Sequence, residues 1–266
     1  MFATTYHRPS SVDEAAALFA KGAEAKYLAG GHTLIPVMTQ RLASPSDVID
    51  LGKIKDLVGI EVSADAVTIK AAKPHYDVAT SGPTQKAIPA LTYLASLIGD
   101  PAVRYRGTIG GSLANNDPAA DYPAAVLALG ATVKTNKRSI AADDFFKGLF
   151  ATALADGEII TQVSFPVPAK AGYAKFLHPA SRFALTGVFV AKTKSGDVRV
   201  AATGASQNGV MRVPAIEAAL KANWSAGALG NVTISATGLM SDIHGSSDYR
   251  ANLIKVMAQR AVAAAG

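Results

Sequence analysis

Apolar and polar residues alternate along positions 1–55 in patterns that predict short helices and strands in turn. The apolar spacing over 10–22 is helical, while the short apolar runs at 25–31 and 47–52 are typical of buried strands. The segment 33–43 predicts a short helix or turn between those two strands. The order helix, strand, helix, strand indicates a small α/β unit.

Local signals mark the ends of these two helices. Ser11 and Glu14 have the spacing of a capping box, and Gly22 is a natural end for the first helix. Pro36 fits the first turn of the second helix, where its missing N–H costs little. These signals agree with the hydrophobic spacing.

The middle of the chain, 56–168, predicts a second unit that mixes strands and helices. Its predicted elements are a strand at 65–72, a helix at 88–100, a helix closed by Gly130 with a strand behind it at 121–135, and a strand at 157–168. Strands and helices in this arrangement indicate an α+β unit.

The last segment, 169–266, predicts a third unit. Two strands within 187–205 surround the turn Ser195-Gly196-Asp197, which is a hairpin signal. Amphipathic helices are predicted at 214–224 and 248–265. This segment contains no glycine-rich loop and no acid–base pair, so we expect it to act in packing and docking.

The composition supports a folded chain with a sizeable core. Of 266 residues, 49% are hydrophobic and 17% charged, a balance that disfavours disorder. No apolar stretch is long enough to span a membrane, and the first residues do not predict a signal peptide. We therefore expect a cytoplasmic protein, and leave open a peripheral association with the inner face of the membrane.

The net charge of +6 does not by itself indicate a nucleic-acid-binding protein. The densest basic cluster, Lys134, Lys137 and Arg138, has no aromatic residue among its members. We interpret it as a solvated surface, or as a basic face toward an acidic protein partner, and we expect no nucleic acid to bind.

The chain contains no cysteine. Disulfides, thiolate zinc sites and iron–sulfur clusters ligated by this chain are therefore excluded. The five histidines are far apart in the sequence and form no metal-binding pattern, so we expect no metal site.

Two glycine pairs, Gly30-Gly31 and Gly110-Gly111, are the strongest candidates for a binding site. Both pairs are predicted to lie where a strand passes into a helix. A turn of this kind can aim several backbone N–H groups at one point, which suits a phosphate. The alternative interpretation of either pair is a simple tight turn, but the same setting at both pairs favours two nests that grip a pyrophosphate from opposite sides.

Polar side chains next to the glycines could complete such a site. The hydroxyl groups of Thr33, Thr108 and Ser112 could donate to phosphate oxygens, and Asn115 and Asn116 could bond a sugar or the edge of an amide ring. The spaced glycines of a Rossmann turn are missing at the first pair, and no ATP-hydrolysing P-loop sequence occurs.

Other catalytic chemistry has little support in the sequence. Asp117 and Asp121 are four residues apart, but Pro118 and Pro123 make a shared helical face doubtful. Gly110-Gly111-Ser112 does not match the nucleophile elbow of a serine hydrolase. We predict no catalytic residue in this chain and expect a bound cofactor to supply the chemistry.

Five stretches of the chain together resemble one known family. They read AGGHTLIPVM, RGTIGGSLANNDPAADYPAAVLALGA, IAADDFFKGLF, EIITQVSFP and SDIHGSSDYRANLIKVMAQRA. In this order they are similar to the FAD-binding medium subunit of molybdenum hydroxylases, in the xanthine dehydrogenase superfamily, and above all to its aerobic carbon monoxide dehydrogenase type. The resemblance covers nearly the whole chain. One departure is Lys73-Pro74-His75, where relatives often read TTH.

The resemblance implies a fold and a set of cofactor contacts. The fold would be a two-part FAD-binding fold of the PCMH type, α/β over 1–55 and α+β over 56–168, followed by a C-terminal α/β domain of the carbon monoxide dehydrogenase flavoprotein type over 169–266. The implied FAD-binding residues are Leu28, Ala29, Gly30, Gly31, His32, Thr33, Leu34, Thr108, Ile109, Gly110, Gly111, Ser112, Asn115, Asn116, Asp121, Ile160, Lys175 and His178.

Some of these residues have more specific implied roles. Asp121 resembles the acid that bonds the ribityl or ribose hydroxyls, and Ile160 would meet the adenine or flavin edge through its backbone. Lys175 or His178 would reach the flavin. His32 is expected to contact FAD rather than to act as an acid or base.

The implied function is electron relay within a heterotrimeric molybdenum hydroxylase, assembled as a dimer of heterotrimers. A large partner subunit would carry molybdopterin, and a small one two [2Fe–2S] clusters. FAD on this chain would collect electrons from the clusters and reduce an external acceptor such as a quinone or NAD. The alternatives are a flavin-free scaffold or docking subunit and a stand-alone FAD oxidoreductase.

Overall fold

The computed structural model describes residues 1–266 and contains helices and strands throughout. The strands are β1 Thr5–His7, β2 Lys26–Leu28, β3 Asp47–Asp50, β4 Ile60–Val62, β5 Ala66–Lys70, β6 Thr132–Thr135, β7 Ser139–Ala141, β8 Phe146–Gly148, β9 Ala151–Thr152, β10 Ile160–Pro166, β11 Lys170–Leu177, β12 Ala184–Lys192, β13 Val198–Ser206 and β14 Gly209–Arg212. The helices are α1 Val12–Lys21, α2 Leu34–Thr39, α3 His75–Ala79, α4 Gly82–Ala87, α5 Pro89–Ser96, α6 Pro101–Arg106, α7 Ile109–Asn115, α8 Tyr122–Leu129, α9 Ala142–Phe145, α10 Pro214–Ala222 and α11 Ser247–Ala265. The mixed helix and strand fold predicted from the sequence is confirmed.

The first sheet is small and parallel, with strand order β1-β3-β2. Helix α1 connects β1 to β2 and packs on β3, as expected of an α/β unit. Ser11 accepts a hydrogen bond from the backbone N–H of Glu14, 3.1 Å away, as predicted for a cap. The carboxylate of Glu14 turns to the backbone N–H and hydroxyl of Ser10, so the reciprocal half of the predicted capping box is displaced by one residue.

The second sheet is antiparallel, with order β4-β5-β10-β6-β7. Its central strand β10 pairs with β5 on one side and β6 on the other, and Val163 and Phe165 on β10 are fully buried. Side chains alternate between the two faces of a strand, so Val163 and Phe165, two positions apart, lie on the same face. Both pack into the main core.

The third sheet is an antiparallel meander, β11-β12-β13-β14, covered by helices on both faces. Val188 and Val190 on β12 join the core under α11, while Phe189 and Ala191 on the opposite face join the core that contains α8. All eight residues of α8 are buried. Burial on every side explains why α8 is apolar all round rather than amphipathic.

The cores do not follow the predicted division at residue 168. The largest core combines the second sheet with Tyr173, Phe189, Ala191 and Ala201 of the third. Each of the three larger sheets nevertheless takes its strands from one of the three predicted segments. The division into units at 1–55, 56–168 and 169–266 stays a prediction.

Some predicted elements differ in extent from those in the structure. The helix predicted at 88–100 ends at Ser96, and a separate helix α6 begins at Pro101, capped by the Asp100 carboxylate on the N–H of Val103. Gly99 has a positive φ of 52°, so the chain turns sharply between the two helices.

None of the helices combines the length and the apolar character that a membrane span requires.

Candidate functional site

A cleft of about 750 Å³ lies between the first sheet, α7 and the beginning of the third sheet. All but three of the predicted cofactor-binding residues line it. These are Leu28, Ala29, Gly30, Gly31, His32, Thr33, Leu34, Thr108, Gly110, Gly111, Ser112, Asn115, Asp121, Ile160 and Lys175. The structure thus brings the two glycine loops, about 80 residues apart in sequence, to the walls of one cleft.

The first glycine loop has the predicted strand–loop–helix setting. Strand β2 ends at Leu28, α2 begins at Leu34, and Gly31 between them has a positive φ of 78° that disfavours any residue with a side chain. The backbone N–H groups of Gly30, Gly31, His32 and Thr33 donate to no acceptor in the chain. Unpaired N–H groups in succession beside a cleft form a site suited to an anion.

The second glycine loop differs from the prediction. Helix α6, not a strand, precedes it, and both Gly110 and Gly111 lie inside the first turn of α7. The N–H of Gly110 donates to the carbonyl of Ala71 at 2.9 Å, and the N–H of Gly111 donates to Oγ1 of Thr108 at 3.1 Å. The prediction of a second open nest is therefore wrong, because this chain already uses those N–H groups.

Close backbone packing, rather than room for a ligand, explains two of the glycines. A Cβ at Gly110 would lie 2.6 Å from the Cβ of Ala71, and a Cβ at Gly30 would lie 2.7 Å from the α-carbon of Gly107. Such distances are below van der Waals contact. Gly30 and Gly110 therefore allow the first loop, the second loop and the end of β5 to touch.

The acidic residue predicted to bond cofactor hydroxyls is part of a buried network. Oδ1 of Asp121 accepts a hydrogen bond from the Tyr173 hydroxyl at 2.5 Å, and Oδ2 accepts one from Nζ of Lys175 at 2.9 Å. Burial raises the pKa of Asp121, and the two donors and the charge of Lys175 oppose that rise. Each carboxylate oxygen can accept a further bond, so a contact with cofactor hydroxyls stays a prediction.

Three predicted residues lie outside the cleft lining. Ile109 is fully buried in the main core. Asn116 is 1% exposed, ends α7 with a φ of 44°, and donates to the carbonyls of Gly148 and Ala151, both at 2.8 Å. Its amide nitrogen therefore holds a neighbouring loop, and a contact of Asn116 with FAD stays a prediction.

The third is His178, which faces a different partner. Its Nε2 lies 3.1 Å from Nδ1 of His244, and its Nδ1 accepts from the N–H of Ser181. His178 is not part of the cleft lining, and its contact with the flavin stays a prediction. Of the pair Lys175 and His178, only Lys175 faces the cleft.

Several lining residues were not predicted from the sequence. The third segment contributes Ser181, Arg182 and Phe183, so its predicted role in packing and docking alone is too narrow. Glu158 and His75 also line the cleft. His75 ends the segment Lys73-Pro74-His75, which shares its histidine with the family pattern TTH and departs from that pattern at the two residues before it.

The environment of His75 keeps its imidazole neutral. The side chain is 5% exposed, and burial, with smaller contributions from His32 and Arg104, lowers its pKa to about 3.

The side chain of Glu158 is kept in its charged form, as a carboxylate. Hydrogen bonds from Arg138 and from other donors lower the pKa of Glu158 to about 2.

One residue of the basic cluster, Arg138, makes this contact with Glu158. Arg138 donates to both oxygens of Glu158, at 3.1 Å each, so one of the three basic residues serves the cleft wall. Lys134 and Lys137 make no ion pair in the structure.

Comparison with known proteins identifies the family. The family model described as the FAD binding domain in molybdopterin dehydrogenase matches residues 2–168. The chain belongs to this family. The resemblance seen in the sequence is therefore confirmed, and the cofactor of the family domain is FAD.

Relatives of this FAD-binding family match the chain over almost its full length. The nicotine 6-hydroxylase medium subunit of Paenarthrobacter nicotinovorans is 36% identical, over 99% of this chain and 98% of that protein. The carbon monoxide dehydrogenase medium chain of Afipia carboxidovorans is 36% identical, over 97% and 94%. These relatives are subunits of oxidoreductases.

Solved structures extend this agreement to the fold. The structure of reconstituted CO dehydrogenase from Oligotropha carboxidovorans matches with a TM-score of 0.90 and 34% identity, covering 99% of this chain and 98% of that one. Quinoline 2-oxidoreductase from Pseudomonas putida 86 matches with a TM-score of 0.87 and 30% identity, covering 99% and 97%. The predicted medium-subunit fold is confirmed.

The residues of the cleft fit FAD. The unpaired N–H groups from Gly30 to Thr33 suit a pyrophosphate, and the side chains of Thr33, Ser112 and Asn115 make no hydrogen bond within the chain. The apolar side chains of Leu28, Leu57 and Ile159 line the same cleft and offer contacts to aromatic rings.

Proposed function

We propose that this chain is the electron-transfer subunit of a heterotrimeric molybdenum hydroxylase of the carbon monoxide dehydrogenase type. The observation that carries the proposal is the open nest of Gly30, Gly31, His32 and Thr33 on the wall of a cleft sized for a dinucleotide. Several full-length relatives are named as medium subunits or chains, which supports a role beside other subunits.

This chain would bind and orient the cofactor. The nest would hold the pyrophosphate, and the Asp121–Lys175 pair would lie beside the remainder of the molecule. The opposite wall, from Ser181 to Phe183, would limit access of water to the cleft. Bound FAD supplies the capacity to accept and release one or two electrons.

The partners would carry the remaining redox groups. Because the chain has no cysteine, [2Fe–2S] clusters bound through thiolates would reside on a small partner subunit, and molybdopterin on a large one. The complex would be a cytoplasmic dimer of heterotrimers that reduces an external quinone or NAD. Its substrate would be oxidised on the large subunit, as carbon monoxide, an aldehyde or an N-heterocycle.

Reconstitution tests the proposal in two steps. The purified chain should bind one FAD and release it on denaturation; a folded chain that takes up no FAD contradicts the cofactor assignment. In the complete complex, removal of FAD should abolish reduction of the external acceptor while a chemical reductant still reduces the iron–sulfur clusters, observed by electron paramagnetic resonance. Acceptor reduction that survives without FAD contradicts the electron-transfer role.

A further inference from the structure

One polar group of the cleft wall that the proposed function leaves unexplained is the imidazole of His75. His75 begins α3 directly beside the second glycine loop. Its backbone N–H donates to the carbonyl of Gly107 at 2.9 Å, and Pro74 forms an isolated antiparallel β-bridge with Thr108. These backbone contacts fix the position of the ring at the wall of the cleft. The ring is 5% exposed and lines the cleft.

Neither ring nitrogen of His75 has a hydrogen-bond partner in the chain. Nδ1 is fully enclosed by the protein, whereas Nε2 is not enclosed. Because His75 lines the cleft, Nε2 is the ring nitrogen that can reach a ligand there. Buried polar groups in native proteins are almost always paired, so an unpaired imidazole at a ligand cleft indicates a partner that comes with the ligand.

The fold makes specific room for this ring. A Cβ at Gly107 would lie 2.6 Å from Nε2 of His75, so a side chain at position 107 would displace the imidazole. Gly107 itself lines the cleft. The glycine therefore allows Nε2 to lie directly against the loop that carries Thr108, beside the space for the ligand.

The neighbours of His75 favour one tautomer. The Tyr122 ring lies 5.4 Å from the imidazole between centroids, and its hydroxyl is also enclosed without a partner. Tyr122 makes no hydrogen bond to Nδ1, so a proton on Nδ1 would be a donor enclosed without an acceptor, whereas a proton on Nε2 can meet an acceptor in the cleft; burial therefore favours the neutral ring with its proton on Nε2. The positive charge of Arg104 and the neighbouring His32 oppose a second proton.

We propose that His75 is a further FAD-contacting residue, which donates a hydrogen bond from Nε2–H to an oxygen of the dinucleotide bound beside Thr108. This rests on the proposed FAD function. The contact is a neutral donor among the backbone amides and hydroxyls of the cleft, and it positions the cofactor without adding charge.

Substitutions of matched geometry test the donor. Glutamine places its amide nitrogen near the position of Nε2, whereas asparagine reaches only the position of Nδ1, and leucine removes both. With purified apoprotein, we expect the Kd for FAD to rise about tenfold in His75→Leu and His75→Asn, and less than about threefold in His75→Gln. His244→Gln, outside the cleft, serves as the control and should keep the wild-type Kd.

The outcomes separate this contact from the proposed function. A folded wild-type chain that binds no FAD overturns both. Wild-type binding of FAD together with an unchanged Kd in His75→Leu and His75→Asn overturns the contact alone.

A second measurement does not depend on folding of the variants. In the wild-type chain with ¹⁵N-labelled histidine, we expect the His75 signals, assigned by their absence in His75→Gln, to report the Nε2–H tautomer and to shift when FAD is added. An Nδ1–H tautomer, or signals that do not move at saturating FAD, overturns the proposal.

Discussion

The carbonyl group of Arg106 packs against the α-carbon of Gly30, in the space that a side chain at position 30 would occupy. This contact joins the first glycine loop to the segment that leads into the second. The nest of unpaired N–H groups therefore depends on a neighbour 76 residues along the chain, and not on the local turn alone.

Substitution at Gly30 should separate the two loops. We expect Gly30→Ala to lower the free energy of unfolding by about 1–3 kcal/mol, because the added Cβ overpacks against backbone that cannot rotate away. FAD content, measured by flavin absorbance per chain, should fall as well. Gly82→Ala is the matched control, since a Cβ there meets nothing within 4 Å. Equal FAD content in both variants would show that the contact does not shape the nest.

Gly111 offers a graded test at the second loop. A Cβ there would lie 3.0 Å from Oγ1 of Thr108, the atom that accepts from the N–H of Gly111. We expect Gly111→Ala to weaken FAD binding modestly, because only this hydroxyl must shift, and Gly111→Val to abolish FAD retention. The third sheet should stay folded in both variants, as measured by circular dichroism. Normal flavin content in Gly111→Val would exclude this loop from the FAD site.

The sequence was sufficient for the elements but not for the partners of individual groups. Periodicity and caps located α1, β2, β5, β10 and α8, because these depend on neighbours within a few residues. The prediction that the backbone N–H groups of the second loop are free to bind a ligand is wrong, because two of their acceptors are the carbonyls of Ala71 and Lys73 on a distant segment. Tertiary contacts of this kind leave no local pattern.

The same limit applies to the predicted site residues that lie outside the cleft lining. The motif predicts a flavin contact for His178, and the structure places its ring against His244, 66 residues away. Asn116 follows Asn115 in the motif, and only the left-handed end of α7 turns its side chain toward Gly148. Conversely, nothing in the spacing around His75 indicated its burial.

The burial of His75 predicts a pH dependence of stability. The unfolded chain takes up a proton at this histidine near pH 6.5, whereas the folded chain does so only near its lowered pKa of about 3. Between these values the unfolded state binds more protons, so the free energy of unfolding falls as the pH falls. We expect the stability difference between wild type and His75→Leu to decrease by about 1.4 kcal/mol per pH unit below 6.5, measured by urea unfolding. Parallel pH profiles would contradict the buried neutral ring.

Glu158 predicts a dependence of the same sign at lower pH. Its folded pKa of about 2 is below the ordinary value of 4.5, so its contribution to stability is present above pH 4.5 and lost as the pH falls toward 2. We expect Arg138→Gln to lower the free energy of unfolding at pH 7 and to raise the midpoint of acid unfolding. Lys137→Gln is the control, because Lys137 makes no ion pair. A midpoint that shifts equally in both variants would assign the effect to net charge.

The buried pair of Asp121 and Lys175 predicts strong coupling between two cleft residues. Their side chains are 4% and 1% exposed, and Nζ of Lys175 also donates to the carbonyl of Leu97 at 3.1 Å. Lys175→Met leaves a buried carboxylate with one donor, Tyr173, and should cost about 3–5 kcal/mol, measured by urea unfolding. The double variant Asp121→Asn with Lys175→Met removes both charges, so it should cost less than the sum of the single changes. Additive effects would show that the two charges are solvated separately, and the cleft would then present two independent groups to FAD instead of one neutralised pair.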